Sequence, residues 1–239
     1  MKVYILLFML NIVNAYTSIN IYGTGLFLPY SLGVIGYIKK NIPITDYRIT
    51  GISGGAWCSL LYTQEDDMSD HDKIWDYTIG KNITNLKIHN DLRVFQKEAE
   101  KNLKARYKSS NKNLDKISII STKLNGNFFS MKTEKRDKFD DVDDLIDFCL
   151  CSSYLPYLSG STFSKKYKGN RYIDGDIKYD YNDKEIENSK IIIDRTIWGR
   201  NFAPENYIYM NKEKSRKLFE YGWVDTENNK DKIISKIAY

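Results

Sequence analysis

Apolar and polar positions along this chain mark out extended runs and helical ones. Tyr16 to Tyr22 (Y-T-S-I-N-I-Y) reads as a first strand, and Tyr47 to Thr50 as a second extended run. Pro29 to Lys39 carries an apolar run of helical length, with its proline in the first turn. Ala56 to Tyr62 is a second helix-compatible run. From Asp91 to Tyr107, Leu92, Phe95, Ala99 and Leu103 recur at steps of three and four, which predicts an amphipathic helix with a solvated charged face. Further strands are expected at Lys116 to Thr122, at Phe128 to Met131 after the Asn125-Gly126 turn, at Tyr172 to Asp176 and at Lys190 to Thr196. A helix from Asp140 to Cys151 has Asp140, Asp141, Asp143 and Asp144 in its first turn, where carboxylates serve the helix dipole and cap better than they would a metal. Ser161 to Arg171 reads as a polar loop, and Ser215 to Gly222 as a closing helix with Gly222 just past its end. Strands alternating with helices predict an α/β fold, a three-layer α/β/α domain around a largely parallel central sheet. Such folds place their sites at the carboxyl ends of the strands.

Two strand ends there carry small residues. Gly23-Thr24-Gly25 follows the first strand directly and precedes a helix. Backbone N–H groups in such a loop converge on one point, suited to a phosphate or to an oxyanion. The dinucleotide pattern would need a glycine at Leu28, and the lysine of a P-loop is absent. The second strand runs into Gly51-Ile52-Ser53-Gly54-Gly55 and then a helix, the strand–turn–helix setting that G-x-S-x-G requires. The residues two before and two after the serine must be small, because strand and helix approach closely there. The helix that follows would aim its positive end at an anion formed on attack.

Composition narrows the setting. With 239 residues, 42% apolar and 28% charged, the chain is long enough for one domain with a sizeable core. The formal charge of +5 is spread among acidic residues, so no basic stripe suggests nucleic acid. Lys2, the apolar run from Val3 to Val13 and the small Ala15 predict a signal peptide over residues 1–15, hence a secreted protein or one in the lumen of the endoplasmic reticulum or endomembranes. In that setting Asn82-Ile83-Thr84 would be a glycosylation acceptor. Of the three cysteines, Cys149 and Cys151 are too close in sequence for an ordinary bridge, Cys58 could pair with either, and buried free thiols are the expected outcome.

A serine nucleophile at Ser53 needs a base. The two histidines, His71 and His89, both follow Ser53 closely, so the order serine, acid, histidine of an α/β-hydrolase would have to draw its acid from between them and Ser53. The other option is a carboxylate acting directly on the serine. Asp174 ends a strand, and Gly175 behind it permits a tight turn. The same two residues also fit an ordinary Asp-Gly turn, so the residues by themselves leave the base open.

Taken together and in order, Gly23-Thr-Gly-Leu-Phe-Leu-Pro-Tyr-Ser-Leu-Gly33, Gly51-Ile-Ser-Gly-Gly55 and Asp174-Gly175 resemble the patatin-like phospholipases. Ser152-Ser-Tyr-Leu-Pro156 is similar to the small-residue–proline stretch before that family's aspartate, and Glu220-Tyr-Gly-Trp-Val-Asp225 to the close of its domain. The resemblance covers nearly all of residues 16–239. It implies a lipid acyl hydrolase without metal or cofactor, peripheral at a lipid interface, with a phospholipid or other acyl lipid as substrate. Ser53 would be the nucleophile, Asp174 the base, and the amides of Gly23, Thr24 and Gly25 the oxyanion hole. Four positions depart from the family pattern. Thr24 stands for a middle glycine, Leu28 for a glycine, and Asp176 for the small residue after Asp-Gly, and the arginine or lysine often found just before Leu28 is missing. If Thr24 had to adopt a positive φ, its β-branch would distort the hole, and the chain would then be a catalytically impaired lipid-binding or partner-binding protein on the same scaffold.

Overall fold

The computed structural model describes residues 16–64, 72, 75, 85–87, 91–108, 112–126, 130–181, 189–202 and 209–237. The expected signal peptide, His71, His89, Asn82 and Phe128 lie outside the described residues.

The first half follows the apolar pattern closely. Strand β1 (Thr17–Ile21) leads through a 3-10 turn at Gly25–Phe27 into helix α1 (Leu28–Asn41). Strand β2 (Tyr47–Ile52) leads directly into α2 (Gly54–Gln64). A short β3 (Asn85–Lys87) precedes α3 (Leu92–Arg106), followed by β4 (Ile117–Leu124) and β5 (Met131–Arg136). Helix α4 (Val142–Ser152) starts two residues later than the pattern predicts, because Asp141 is its cap and accepts from the Asp144 N–H at 2.8 Å. Strands β6 (Lys165–Tyr167), β7 (Asn170–Ile173), β8 (Ile191–Ile193) and β9 (Tyr209–Asn211) come next, then α5 (Lys212–Asn228) and α6 (Lys230–Ile237).

The main sheet has seven strands in the order β6-β7-β4-β2-β1-β8, with β5 on β4 as well. Pairings β8–β1, β1–β2 and β2–β4 are parallel, and β4–β5, β4–β7 and β7–β6 are antiparallel. The sheet is therefore mixed, with β1, β2, β4, β6 and β8 running one way. From β1 to β2 to β4 the chain steps in one direction across the sheet. Right-handed crossovers then put α1 and α2 on the same face, and the two helices do touch. The arrangement is α/β and compatible with three layers. The core holds Ile19, Ile21, Ile49, Ile119, Ile191 and Ile193 from the sheet, with Tyr30, Leu32, Ile35 and Leu60 from the helices, all nearly inaccessible.

Two expectations are corrected. Residues 161–171 are not all loop, since β6 and β7 form a hairpin that turns on Lys168 (φ +42) and Gly169 (φ +78). Left-handed backbone at both turn positions suits the twist of a two-residue hairpin, but a lysine in the first position gives no such signal in the sequence. Gly222 does not end its helix; it lies inside α5, where a Cβ would overlap the carbonyl of Tyr30 on α1. Gly33 on α1 answers it, with the carbonyl of Phe219 where its Cβ would stand. The glycines let two backbones cross in contact, so Gly222 serves packing and not termination.

Candidate active site

The site arises from how two strands share one edge of a third. Ile119 and Ile120 of β4 pair with both β2 and β5, and Thr122 to Leu124 pair with both β5 and β7. A strand has two edges, so β2 and β7 must share one of them, end to end. They run in opposite directions, so their carboxyl ends point at each other. Ile52 ends β2 opposite Ile120, and Ile173 ends β7 opposite Thr122. The next residues are Ser53 and Asp174.

Ser53 Oγ donates to Asp174 Oδ2 at 2.7 Å, 121 positions apart in the chain, and both residues are buried. Ser53 has φ +52, left-handed and strained for a residue with a side chain. A Cβ on Gly51 would come within 2.5 Å of the Gly55 carbonyl, and one on Gly55 would overlap the carbonyl of Ile21. Those contacts are the close approach that small residues at both positions allow. The Ser53 N–H donates to Ser152 Oγ at 2.8 Å, and Ser152 Oγ donates to the Ile120 carbonyl at 2.6 Å. Asp174 is held by its N–H to the Tyr154 carbonyl and by the Asp176 N–H to its Oδ1, both at 2.9 Å. Ser152 and Tyr154 belong to the stretch noted above only for its small residues and proline. Their contacts connect it to both members of the pair.

Burial pushes the Asp174 carboxyl up to about 7. Hydrogen bonds from Ser53 and from the Asp176 N–H pull the other way, and the charge of Asp176 adds to the rise. A carboxylate with that basicity can share a proton with a serine near neutral pH, which an ordinary aspartate does poorly.

The glycine loop lies against the serine turn. A Cβ on Gly54 would stand 3.4 Å from the Gly25 nitrogen, so that amide borders the turn. Thr24 takes φ −109, and the positive φ of +50 falls on Gly25, so the β-branch distorts nothing. The Thr24 hydroxyl is buried beside Gly54 and has no hydrogen-bond partner among the described residues. Gly23 differs from its two neighbours, because the carboxylate of Asp176 packs against it where its Cβ would stand.

Ser53, Gly54, Gly25 and Asp174 line a cavity of about 80 Å³. Its other walls are mainly apolar, with Leu26, Leu28, Trp57, Phe95, Leu155 and Met210 among them. Leu28, where the family pattern has glycine, thus contributes an apolar wall. Gln96 and Ser153 supply polar edges, but Gln96 Nε2 is turned to the Ser153 carbonyl at 2.8 Å and Trp57 Nε1 to Ser153 Oγ at 3.0 Å. Cys58, Cys149 and Cys151 are free, buried and unreactive, since burial raises all three thiols. Among the described residues no three or more His, Cys, Asp or Glu side chains group as metal ligands would, and no helix is long and apolar enough to cross a membrane.

Neither protein families nor curated proteins offer a match to this chain.

Proposed function

We propose that this protein is a serine-dependent hydrolase of fatty-acyl esters, of the patatin-like phospholipase kind, working through a Ser53–Asp174 dyad. The observation that carries the reading is the 2.7 Å bond from Ser53 Oγ to a buried, basic Asp174 at the wall of an apolar cavity. A strained serine aimed at a carboxylate does nothing for packing; it supports a role in nucleophilic catalysis.

In this mechanism the acyl chain lies along the apolar wall with its carbonyl carbon at Ser53. Ser53 Oγ attacks as its proton passes to Asp174. The carbonyl oxygen becomes an oxyanion facing the amides of Thr24 and Gly25. Asp174 returns the proton to the departing alkoxide, and an acyl ester remains on Ser53. Asp174 then takes a proton from water, whose oxygen attacks the ester. Collapse releases the fatty acid and returns the proton to Ser53. Each loss of an oxyanion donor costs about 10²–10³ in rate, so each of the two amides would matter to catalysis.

A fluorophosphonate probe and a p-nitrophenyl ester test the reading. Wild-type protein should be labelled and should hydrolyse the ester, while Ser53→Ala and Asp174→Ala should lose both by at least about 10³-fold. Unchanged hydrolysis in Ser53→Ala sinks the proposal. Folded wild type that takes no label favours a lipid-binding protein on the same scaffold.

A further inference from the structure

Asp174 sits in a short turn, Asp174-Gly175-Asp176, in which the second aspartate faces away from Ser53. The Asp176 carboxylate packs on the backbone of Gly23, filling the space where a Cβ on Gly23 would stand, and the Gly23 N–H pulls its carboxyl down. Tyr181 O–H closes the other side, donating to Asp176 Oδ1 at 2.5 Å. Tyr22, the residue before Gly23, stacks edge-on against Tyr181 with ring centroids 4.9 Å apart, and Tyr179 against Tyr181 at 5.1 Å. Arg195 is the nearby cation that acts on Asp176. The glycine loop and the base-bearing turn come from opposite ends of the domain, 151 positions apart between Gly25 and Asp176. Among the described residues, this cluster is a direct polar link between them.

We propose that Asp176 is a positioning residue of the hydrolytic site: its carboxylate ties the oxyanion loop, through Gly23, to the turn that carries Asp174. The inference rests on the dyad reading above. Gly23 on this account is an anchor of the oxyanion hole and not one of its donors, which leaves that role to the amides of Thr24 and Gly25. Oxyanion catalysis depends on donors held in place before the reaction, and a displacement of about 1 Å can cost 10²-fold. The tether also has an electrostatic consequence. Asp176 places a negative charge two residues from Asp174, which makes the base stronger. The groups facing Asp176 are Tyr181, Tyr22, Arg195, the Gly23 amide and Asp174 itself. Tyr181 is neutral throughout the working range, because burial and its bond to Asp176 push its hydroxyl up.

Two substitutions separate tether from charge. Asp176→Ala removes both. Its kcat should fall about 10- to 100-fold with KM little changed, since the loss falls on the transition state. Asp176→Asn keeps an oxygen for Gly23 but no charge. Its kcat should stay within about threefold, while the acid limb of its kcat/KM profile moves down by up to about one pH unit as Asp174 loses a like-charged neighbour. A purely structural aspartate would not give that pair of results. A readout independent of catalysis is the Gly23 amide proton, isolated by combining carbonyl-labelled tyrosine with amide-labelled glycine. Only Gly23 and Gly222 follow a tyrosine. Its resonance should move upfield in Asp176→Ala and stay near its wild-type position in Asp176→Asn. A kcat in Asp176→Ala equal to or above wild type, or an unmoved Gly23 resonance, overturns the proposal. If wild type neither labels nor hydrolyses while the Gly23 resonance responds, the tether stands and the dyad reading, with the catalytic role of Asp176, falls.

Discussion

Asp174 and Asp144 are both carboxylates withdrawn from solvent on or beside the same sheet, and their surroundings treat them in opposite ways. Burial raises the Asp144 carboxyl, but Lys168 at 2.8 Å, the Asp140 N–H at 3.0 Å and the Tyr167 hydroxyl at 2.7 Å outweigh it and hold it below the ordinary range. Around Asp174 no cation among the described residues answers the burial. Its partners are one hydroxyl and one amide, and its charged neighbour is another aspartate. A fold that needs a buried carboxylate for structure surrounds it with donors, as at Asp144. On the reading proposed above, a carboxylate left basic and joined to a strained serine is kept for reactivity at the expense of stability. The number of acidic residues in each stretch teaches nothing here: residues 140–144 hold four aspartates at a helix start, with Asp141 as its cap, and residues 174–176 hold two, with Asp174 bonded to Ser53.

The largest effect that sharpens the contrast is in the pH dependence of activity. Asp174 must be ionised to accept the serine proton, and its pKa is raised to about 7. The kcat/KM for a p-nitrophenyl ester should therefore rise with pH through about 7 and level off above it. At pH 5 it should lie about 100-fold below the plateau, one proton being taken up over two pH units. Asp144, with its carboxyl held low, leaves no inflection in that range. A profile flat from pH 5 to 8 would mean that Asp174 is compensated like Asp144 and is no base.

Much of the site was legible because its parts are local. Strand β1 with its glycine loop, and β2 with Ser53 and α2, could be read from extended runs meeting small residues. The capping role of Asp141 and Asp144 could be read from their place in a first helical turn. What brought Asp174 forward was the resemblance, since its own surroundings in the sequence suit an ordinary turn equally well. The rest is long-range. No local pattern says that β2 and β7 meet on one edge of β4, that Ser152 holds the Ser53 amide, or that Asp176 reaches Gly23. The parallel sheet expected from alternating elements acquired antiparallel members because β5 and the β6–β7 hairpin turn back on β4, and the hairpin turn is marked only by a lysine before a glycine.

An intermediate effect is on stability, and its sign should differ between the two aspartates. A carboxyl whose folded pKa is raised stabilises the fold at low pH, and that contribution is lost as pH rises through about 7. Asp174→Asn avoids the loss. It should match wild type near pH 4 and exceed it at pH 8 by on the order of 2–4 kcal/mol. Asp144 has the lowered pKa, so its contribution is present at neutral pH and fades as pH falls below about 4. Asp144→Asn should then be less stable than wild type at pH 7 by about 1 kcal/mol, the pair with Lys168 being partly exposed, and the gap should close in acid. Thermal melts of both variants at pH 2.5, 4 and 8 read this directly. Two differences of the same sign would dissolve the contrast.

The smallest effect concerns backbone strain, which both regions carry. Ser53 (φ +52) and Lys168 (φ +42) are non-glycine residues in left-handed conformation, and each holds one of the compared carboxylates, at 2.7 and 2.8 Å. Glycine at either position relieves about 1 kcal/mol of strain, offset in part by the greater freedom of the unfolded chain. Ser53→Gly should be more stable than Ser53→Ala by several tenths of a kcal/mol to about 1 kcal/mol, since both lack the hydroxyl and only one relaxes the backbone. In Lys168→Gly the same relief is set against a lost ion pair to Asp144 and Asp140, so its stability at neutral pH should stay near that of wild type. Guanidinium titrations resolve differences of this size. If Ser53→Gly is no more stable than Ser53→Ala, the left-handed serine is no store of strain, and the burial of Asp174 is then what this site costs the fold.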